Sequence, residues 1–356
     1  MNILQIKNKE RDSNIELLRI FSIFIILLLH ANFKSIHTPT LEETLNEPIF
    51  SFFRIFLEFL CIIGVNVFIL ISGWYGIKPK LKRILELIFQ VLFFNVTVSL
   101  IIKICNASHP SFYLNEFYSL ITLSNYWFVP CYVILYASSP ILNMYIKHSN
   151  RKQIKFTILS LFVLQIIYGW RPSGVSYFYD NGYSPISFLL IYLIGRYVSI
   201  YKPRFSLKSL KLDAVLYLLF SLLSSFLFYL SIKYSTFTSL RSILLYYTSP
   251  LIIIASLYLV LLFAKITIKS KIVNCIAVSS FAAYLFQEHH LFADVYKSVI
   301  YRWYIAENHL VFVLYTLCWI LIIFFLAILL DKIRIYIWQK ISYKVSVFIE
   351  KGTHGV

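Results

Sequence analysis

The chain has 356 residues, 59% of them apolar and only 14% charged. A mean hydropathy of +0.75 excludes a soluble globular domain of this size, so length does not convert into a domain count. The formal charge of +17 comes without a basic face or recognition motif, which argues against nucleic acid as a partner.

In chain order, Lys7, Lys9 and Arg11 precede the apolar run Asn14–Phe33. This resembles a secretory leader. The run carries Glu16, Arg19 and His30, however, and lacks a small-x-small cleavage site, so it reads as a retained first helix acting as its own anchor. Further apolar segments follow at 50–74, 84–105, 126–146, 155–170, 186–203, 212–232, 242–264, 273–292 and 309–331. Most approach the roughly 20 residues that a helical span needs. The segment 155–170 is short enough to be tilted or re-entrant.

Cations cluster in every second loop: Lys78, Lys80, Lys82 and Arg83, then Lys147, Arg151, Lys152 and Lys155, then Arg196 to Lys211, then Lys265, Lys269 and Lys271. The intervening loops are poor in them, with Arg171 in the third outer loop and Lys297 and Arg302 in the last. The expectation is an all-α polytopic membrane protein with about ten transmembrane helices and both termini in the cytoplasm. Residues 1–333 form its membrane domain. The basic, aromatic-rich tail 334–356 reads as a cytoplasmic helix on the membrane surface. Cys61, Cys105, Cys131, Cys275 and Cys318 form no CxxC or Cys/His cluster and read as free thiols.

Titratable groups inside an apolar helix cost about 2.5–3.5 kcal/mol each near its centre, so they face protein or a cavity. Arg19 and His30 are eleven residues apart, three turns plus a small angle, and share one helix face. Along the axis they stand ~16 Å apart. Glu16 lies one turn before Arg19 and Ser22 one turn after. A neutral imidazole is a natural general base, and a buried guanidinium a natural clamp for phosphate or carboxylate. The same spacing also fits a purely structural stripe, with Glu16 and Arg19 as an ion pair and His30 bonded to another helix. No Gly-x-Ser-x-Gly elbow or zinc-helix motif occurs, and no metal site is expected. Two outer loops, Trp170–Tyr183 and Asn106–Asn125, are rich in aromatic and hydrogen-bonding groups suited either to sugar stacking or to interfacial anchoring.

The run Asn14-Ile-Glu-Leu-Leu-Arg19, ten residues, then His30 resembles the first-helix signature of the acyltransferase family 3 membrane proteins. Gly64-Val-Asn-Val-Phe-Ile-Leu-Ile-Ser72-Gly73 is similar to that family's second motif, and Trp127, Tyr136 and Pro140 to a third. Gly195-Arg196 and Ser279-Ser280-Phe281-Ala-Ala-Tyr284-Leu285 follow in order. The resemblance covers residues 12–333. It implies an O-acyltransferase of the cell membrane that moves an acyl group, most commonly acetyl from acetyl-CoA, onto a hydroxyl of a glycan or lipid-linked oligosaccharide. Membrane lipids are the other expected partners, and a second copy of the chain is an allowed one.

In that reading His30 takes the acceptor's proton. Arg19, oriented by Glu16 and joined by Lys78, Lys80, Lys82 and Arg83, holds the phosphates of CoA. Ser72, the amide of Gly73 and Trp127 are candidates for the oxyanion contact, with Tyr136 a further substrate-side candidate. The family's ninth-helix histidine is replaced here by Gln287, with Glu288, His289 and His290 following, so His289 is a candidate to take its place. The family's cytoplasmic Arg-x-x-x-Arg appears only as the lysine-rich cluster 78–83. A polysaccharide transporter or polymerase without CoA chemistry is the alternative. Only nine glycines, and prolines mostly at span ends, count against broken transport helices.

Overall fold

In a hydrocarbon environment every backbone polar group must be satisfied within its own segment, which favours helices. The computed structural model describes residues 12–105, 125–170, 179–234 and 238–353, and every regular element among them is helical. The first six are α1 (Ser13–Ala31), α2 (Phe33–Ile36), α3 (Leu41–Asn46), α4 (Pro48–Cys61), α5 (Gly64–Tyr75) and α6 (Leu81–Cys105). Then come α7 (Phe128–His148), α8 (Arg151–Leu164), α9 (Pro185–Tyr201), α10 (Leu210–Lys233) and α11 (Thr238–Leu244). The chain continues with α12 (Pro250–Lys265), α13 (Lys271–Gln287), α14 (His290–Ala306) and α15 (His309–Thr353).

Local chemistry sets many of these boundaries. Proline opens α4, α9 and α12 at a position where its missing N–H costs nothing. Thr40 with Glu43, and Asn150 with Gln153, form reciprocal capping boxes before α3 and α8.

Each of the ten apolar segments carries a helix, but they are not ten uniform rods. Six helical stretches are long and apolar enough to cross a membrane, and three shorter apolar ones, α9, α12 and α13, accompany them. The segment 50–74 breaks at Ile62–Ile63 into α4 and α5, and 242–264 breaks into α11 and α12. The segment 273–292 ends early, at Gln287, and the chain turns into α14 through what the charge pattern marks as an outer loop. The segment 155–170 becomes α8 followed by a π-helical turn, Gln165–Gly169. The last helix continues unbroken past residue 333. There Arg334 is buried against Asp331 (Nε–Oδ1 2.9 Å), which also accepts from Gln90 of α6 (2.9 Å).

Helix α1 lies at the centre, touching α4, α5, α12, α13, α14 and α15. Around it α5 packs closely on α9, and α10 on α12. Glycine makes the α5–α9 approach possible. A Cβ on Gly195 would sit 2.6 Å from the Leu70 carbonyl oxygen, and one on Gly73 would overlap the Tyr192 carbonyl oxygen. Small residues at such seams let helix backbones meet, and polar groups then tie the helices together. Asn66 donates to the Tyr247 carbonyl (2.7 Å), Tyr217 to the Leu60 carbonyl (2.9 Å), and Lys265 pairs with buried Asp213. Cys61, Cys131, Cys275 and Cys318 are free thiols.

The seam yields a stability prediction. Gly73→Ala forces α5 away from rigid backbone and is expected to cost about 1–3 kcal/mol. Gly64→Ala meets mainly the movable Ile26 side chain and should cost less. Thermal unfolding in detergent checks this: Gly73→Ala is expected to melt well below Gly64→Ala, and equal melting would contradict the close α5–α9 contact.

Candidate active site

Four helices contribute one stripe each to a common axis. On α1 the stripe is Arg19, Ile23, Ile26, His30, with steps of four, three and four that keep one helix face. On α5 it is Ser72, Phe68, Val65; on α7 Tyr136, Tyr132, Phe128; on α13 Phe281, Tyr284, Glu288. A cavity of about 300 Å³ at one end is lined by Arg19, Ser72, Tyr75, Lys78, Arg83, Tyr132 and Tyr136. Farther along, Ile23, Ile26, Phe68, Phe128, Phe281 and Tyr284 close to a neck holding only about 10 Å³. Its rings are in mutual contact, with Phe128–Phe281 centroids 5.9 Å and Phe281–Tyr284 5.6 Å apart. His30 stands beyond the neck.

At the basic end Arg19 Nη1 donates to Glu16 Oε1 at 2.9 Å. Glu16 is buried, while 37% of the Arg19 side chain stays exposed. The structural reading of that pair is therefore realised without using up the guanidinium. The lysine-bearing loop after α5 is pinned by its backbone. Tyr136 Oη accepts from the Lys80 N–H (2.7 Å) and donates to the Lys80 carbonyl (3.0 Å). Asn143 donates to the Ile77 carbonyl (2.8 Å), and Tyr192 Oη accepts from the Ile77 N–H (3.2 Å). Gly76 takes φ +74° with the Arg196 guanidinium packed over it, 3.1 Å from where a Cβ would lie. Lys78 and Arg83 thereby reach the cavity wall; Lys80 and Lys82 are exposed outside it. A second cavity of about 890 Å³, lined by Asp12–Ile15, Trp74, Ala264 and Ile266–Lys271 among others, shares Tyr75 with the first.

At the other end His30 is 8% exposed. Its Nδ1 lies 2.6 Å from Gln287 Oε1 and 3.2 Å from Glu288 Oε1. Both are acceptors, so they favour the tautomer with the proton on Nδ1 and leave Nε2 bare. Nε2 has no hydrogen-bond partner among the described residues. Gln287 also donates to Glu288 Oε1 (3.1 Å), and Lys34 pairs with Glu288 Oε2 (2.5 Å). Glu16, by contrast, remains at the far end of α1.

The turn after His30 is fixed by a buried charge network. Asn32 donates to Glu58 Oε2 and to the Arg54 carbonyl, both at 2.8 Å. Arg54, buried on α4, donates to Tyr304 Oη (3.0 Å), to the Ile36 carbonyl (3.0 Å) and to the His37 carbonyl. Tyr304 in turn donates a hydrogen bond to Glu43 Oε1 (2.7 Å). Burial by itself raises the Glu43 carboxyl. Hydrogen bonds from the Thr40 amide and Tyr304, with the charge of Arg54, outweigh it and hold the group below its ordinary value.

The structure thus gathers Arg19, Ser72, Lys78, Arg83 and Tyr136 around one cavity, with Glu16 beside them, and sets His30 at the other end of the axis. Gly73 faces α9 at the helix seam. Trp127 sits in an aromatic group with Tyr183 (centroids 4.4 Å) and Tyr247 (5.6 Å). His289 turns toward α6, where Nε2 meets the Asn95 carbonyl at 3.1 Å and Ser99 Oγ at 3.2 Å. The position facing His30 is filled by Gln287 itself. Sequence reasoning did not find Gln287 and Glu288 as the partners of His30, or Lys34 as the partner of Glu288, since these contacts join segments more than 250 residues apart. It also passed over Arg54 and Glu58, although an arginine and a glutamate inside an apolar segment are a visible signal. Of the two aromatic outer loops, residues 171–178 and 106–124 lie outside the described residues. Among the described residues no cluster of three or more metal-ligating side chains occurs.

Long apolar helices, a central helix carrying charge and a buried polar axis define a multi-pass membrane protein with a candidate catalytic centre inside its bundle. Residues 12–331 match the family model described as an acyltransferase domain, and the chain belongs to acyltransferase family 3. No curated protein and no solved structure matches it.

The Arg54 network gives a prediction. Arg54→Leu leaves Glu43 and the Ile36 and His37 carbonyls without their cation. Losing these contacts to a buried guanidinium is expected to cost about 1.5–3 kcal/mol. Limited proteolysis at residues 36–47 checks it: faster cleavage than wild type is expected, and unchanged cleavage would show that the network does not hold this turn.

Proposed function

We propose that the chain transfers an acyl group, acetyl in the leading case, from acyl-CoA to a hydroxyl of a cell-surface or lipid-linked polysaccharide. It does so in the cell membrane through a bundle of about ten crossings with both termini in the cytoplasm. The observation that carries this reading is the axis itself: a basic cavity at one end, a histidine with a bare Nε2 at the other, and an aromatic neck between them.

The residues fit the donor. Arg19, Lys78 and Arg83 present three cations to one cavity, the chemistry that a pyrophosphate and a 3′-phosphate require. The extended pantetheine arm is comparable in length to the ~16 Å rise from Arg19 to His30. Apolar neck residues suit that arm and keep water from the thioester, and their rings must part to admit it. The basic loop at the Arg19 end is one of the cation-rich loops, so the donor arrives from the cytoplasm. The acceptor arrives at His30 from the opposite side.

His30 Nε2 takes the proton of the attacking hydroxyl. Gln287 and Glu288 hold the Nδ1 proton and stabilise the imidazolium that forms. The thiolate leaves toward the Arg19 end and recovers a proton from His30. Lys34, on the other carboxylate oxygen, anchors Glu288 in this place beside His30. In this scheme Glu16 orients Arg19, and Tyr136 sets the loop rather than touching the donor's reactive end. Lys80 and Lys82 add to the long-range field that attracts the polyanionic donor.

His30→Ala is expected to lower acetyl transfer from acetyl-CoA by about 10²–10⁴-fold, with the protein still inserted and folded and its melting point lowered by the lost Gln287 hydrogen bond. Arg19→Ala should instead raise the KM for acetyl-CoA by about tenfold or more, the worth of one charge-assisted phosphate contact, and weaken stabilisation by free CoA. Gln287→Leu should lower kcat at unchanged KM, because it frees the Nδ1 proton. Labelled acetyl transfer into envelope glycan by isolated membranes measures all three. Full activity of His30→Ala would remove the mechanism.

A further inference from the structure

We propose that the buried Tyr284 hydroxyl is the oxyanion donor of this reaction. The inference rests on the acyl-transfer reading above.

Tyr284 is 4% exposed, and its hydroxyl makes no hydrogen bond of ordinary geometry. A buried polar group without a partner is a standing cost that calls for a functional explanation. Its ring lines the neck beside Phe128, the first residue of α7, with ring centroids 6.2 Å apart. The phenol O–H is therefore an uncommitted donor carried by a residue of the neck wall.

That point is placed for the chemistry. Tyr284 precedes Gln287 and Glu288, the partners of His30 Nδ1, by three and four residues on the same helix face. Ile26, one turn before His30 on α1, lines the same small cavity as Tyr284 and Phe128. A thioester reaching up from Arg19 brings its carbonyl to this level just before its carbon comes within reach of a hydroxyl held at His30. Other candidates are committed elsewhere. Ser72 Oγ donates to the Phe68 carbonyl at 3.0 Å and lies beside the basic cavity. The Gly73 amide is inside α5.

The step balances as follows. The acceptor oxygen forms its bond to the thioester carbon as its proton passes to His30 Nε2. The carbonyl π pair moves onto oxygen, where the Tyr284 O–H holds the negative charge. Collapse restores the C=O, breaks the C–S bond and expels thiolate, which takes the proton back from His30. The products are an ester and free CoA thiol.

The test compares wild type, Tyr284→Phe and His30→Ala for transfer of labelled acetyl from acetyl-CoA into envelope glycan, with thermal stabilisation by free CoA measured in parallel. Phenylalanine keeps the ring and removes only the donor. Loss of one oxyanion donor is expected to lower kcat by about 100- to 1,000-fold. The KM for acetyl-CoA and the CoA-induced stabilisation should stay at wild-type values, a split that a packing defect would not give. Wild-type kcat in Tyr284→Phe alongside an inactive His30→Ala overturns this inference and leaves the general base standing. An active His30→Ala overturns the underlying reading instead. Should Tyr284→Phe lose its response to CoA, 3-fluorotyrosine at position 284 decides. It preserves shape and strengthens the donor, so an altered kcat at constant KM supports this role and an unaltered kcat overturns it.

Discussion

The hydrogen bond from His30 to Gln287 is the contact on which the rest of the bundle's arrangement turns. An imidazole on an apolar helix is tolerable only if protein meets it. Meeting it from α13 fixes the rotation of both helices about their axes. Once α1 turns His30 toward Gln287 and Glu288, the four-residue rhythm brings Ile26, Ile23 and Arg19 onto the same side. The same rotation sets Phe281 and Tyr284 of α13 opposite them. Helices α5 and α7 complete the enclosure, held respectively by the glycine seam with α9 and by the clamp of Tyr136 and Asn143 on the loop after α5. Chemistry and packing are thus not separable here: the polar atoms that a catalyst needs are the atoms that set the helix register.

The axis also divides labour by polarity. Its Arg19 end is cationic and partly open; its His30 end is nearly neutral in sum, with Glu288 balanced by Lys34. Between them lies a stretch of aromatic rings with room for about one water molecule. In the proposed reaction this neck keeps the two substrates and water apart until the donor's arm parts its rings.

Much of this was legible in the chain. Hydropathy gave the helical class and the ten apolar segments, and spacing alone put Arg19 and His30 on one face. Five ordered motifs pointed to the family. The break at Ile62–Ile63 was not legible, because apolar residues continue across it and hydropathy does not register a turn inside an apolar run. At Gln287 the polar run Gln287-Glu288-His289-His290 is a visible signal that the segment 273–292 passed over, and α14 was hidden within an assumed loop. Within the site, local pairs such as Glu16–Arg19 follow from spacing, whereas the partners of His30 depend on which helices become neighbours. Gln287 looked like the loss of a family histidine. In three dimensions an amide oxygen does there what was needed, accepting the Nδ1 proton. Tyr284 stood in a recognised motif, but only the missing partner of its hydroxyl singles it out.

The central claim is that a CoA thioester lies along this axis with its carbonyl between Tyr284 and His30. The most direct measurement is a cryo-EM structure of the protein with a non-transferable thioether analogue of acetyl-CoA. The account predicts its pyrophosphate at Arg19 and Arg83, its arm threaded past Phe68 and Phe128, and its carbonyl oxygen within hydrogen-bond distance of the Tyr284 hydroxyl. Density for the analogue outside the bundle, or an acyl end that stops short of the aromatic neck, would contradict it.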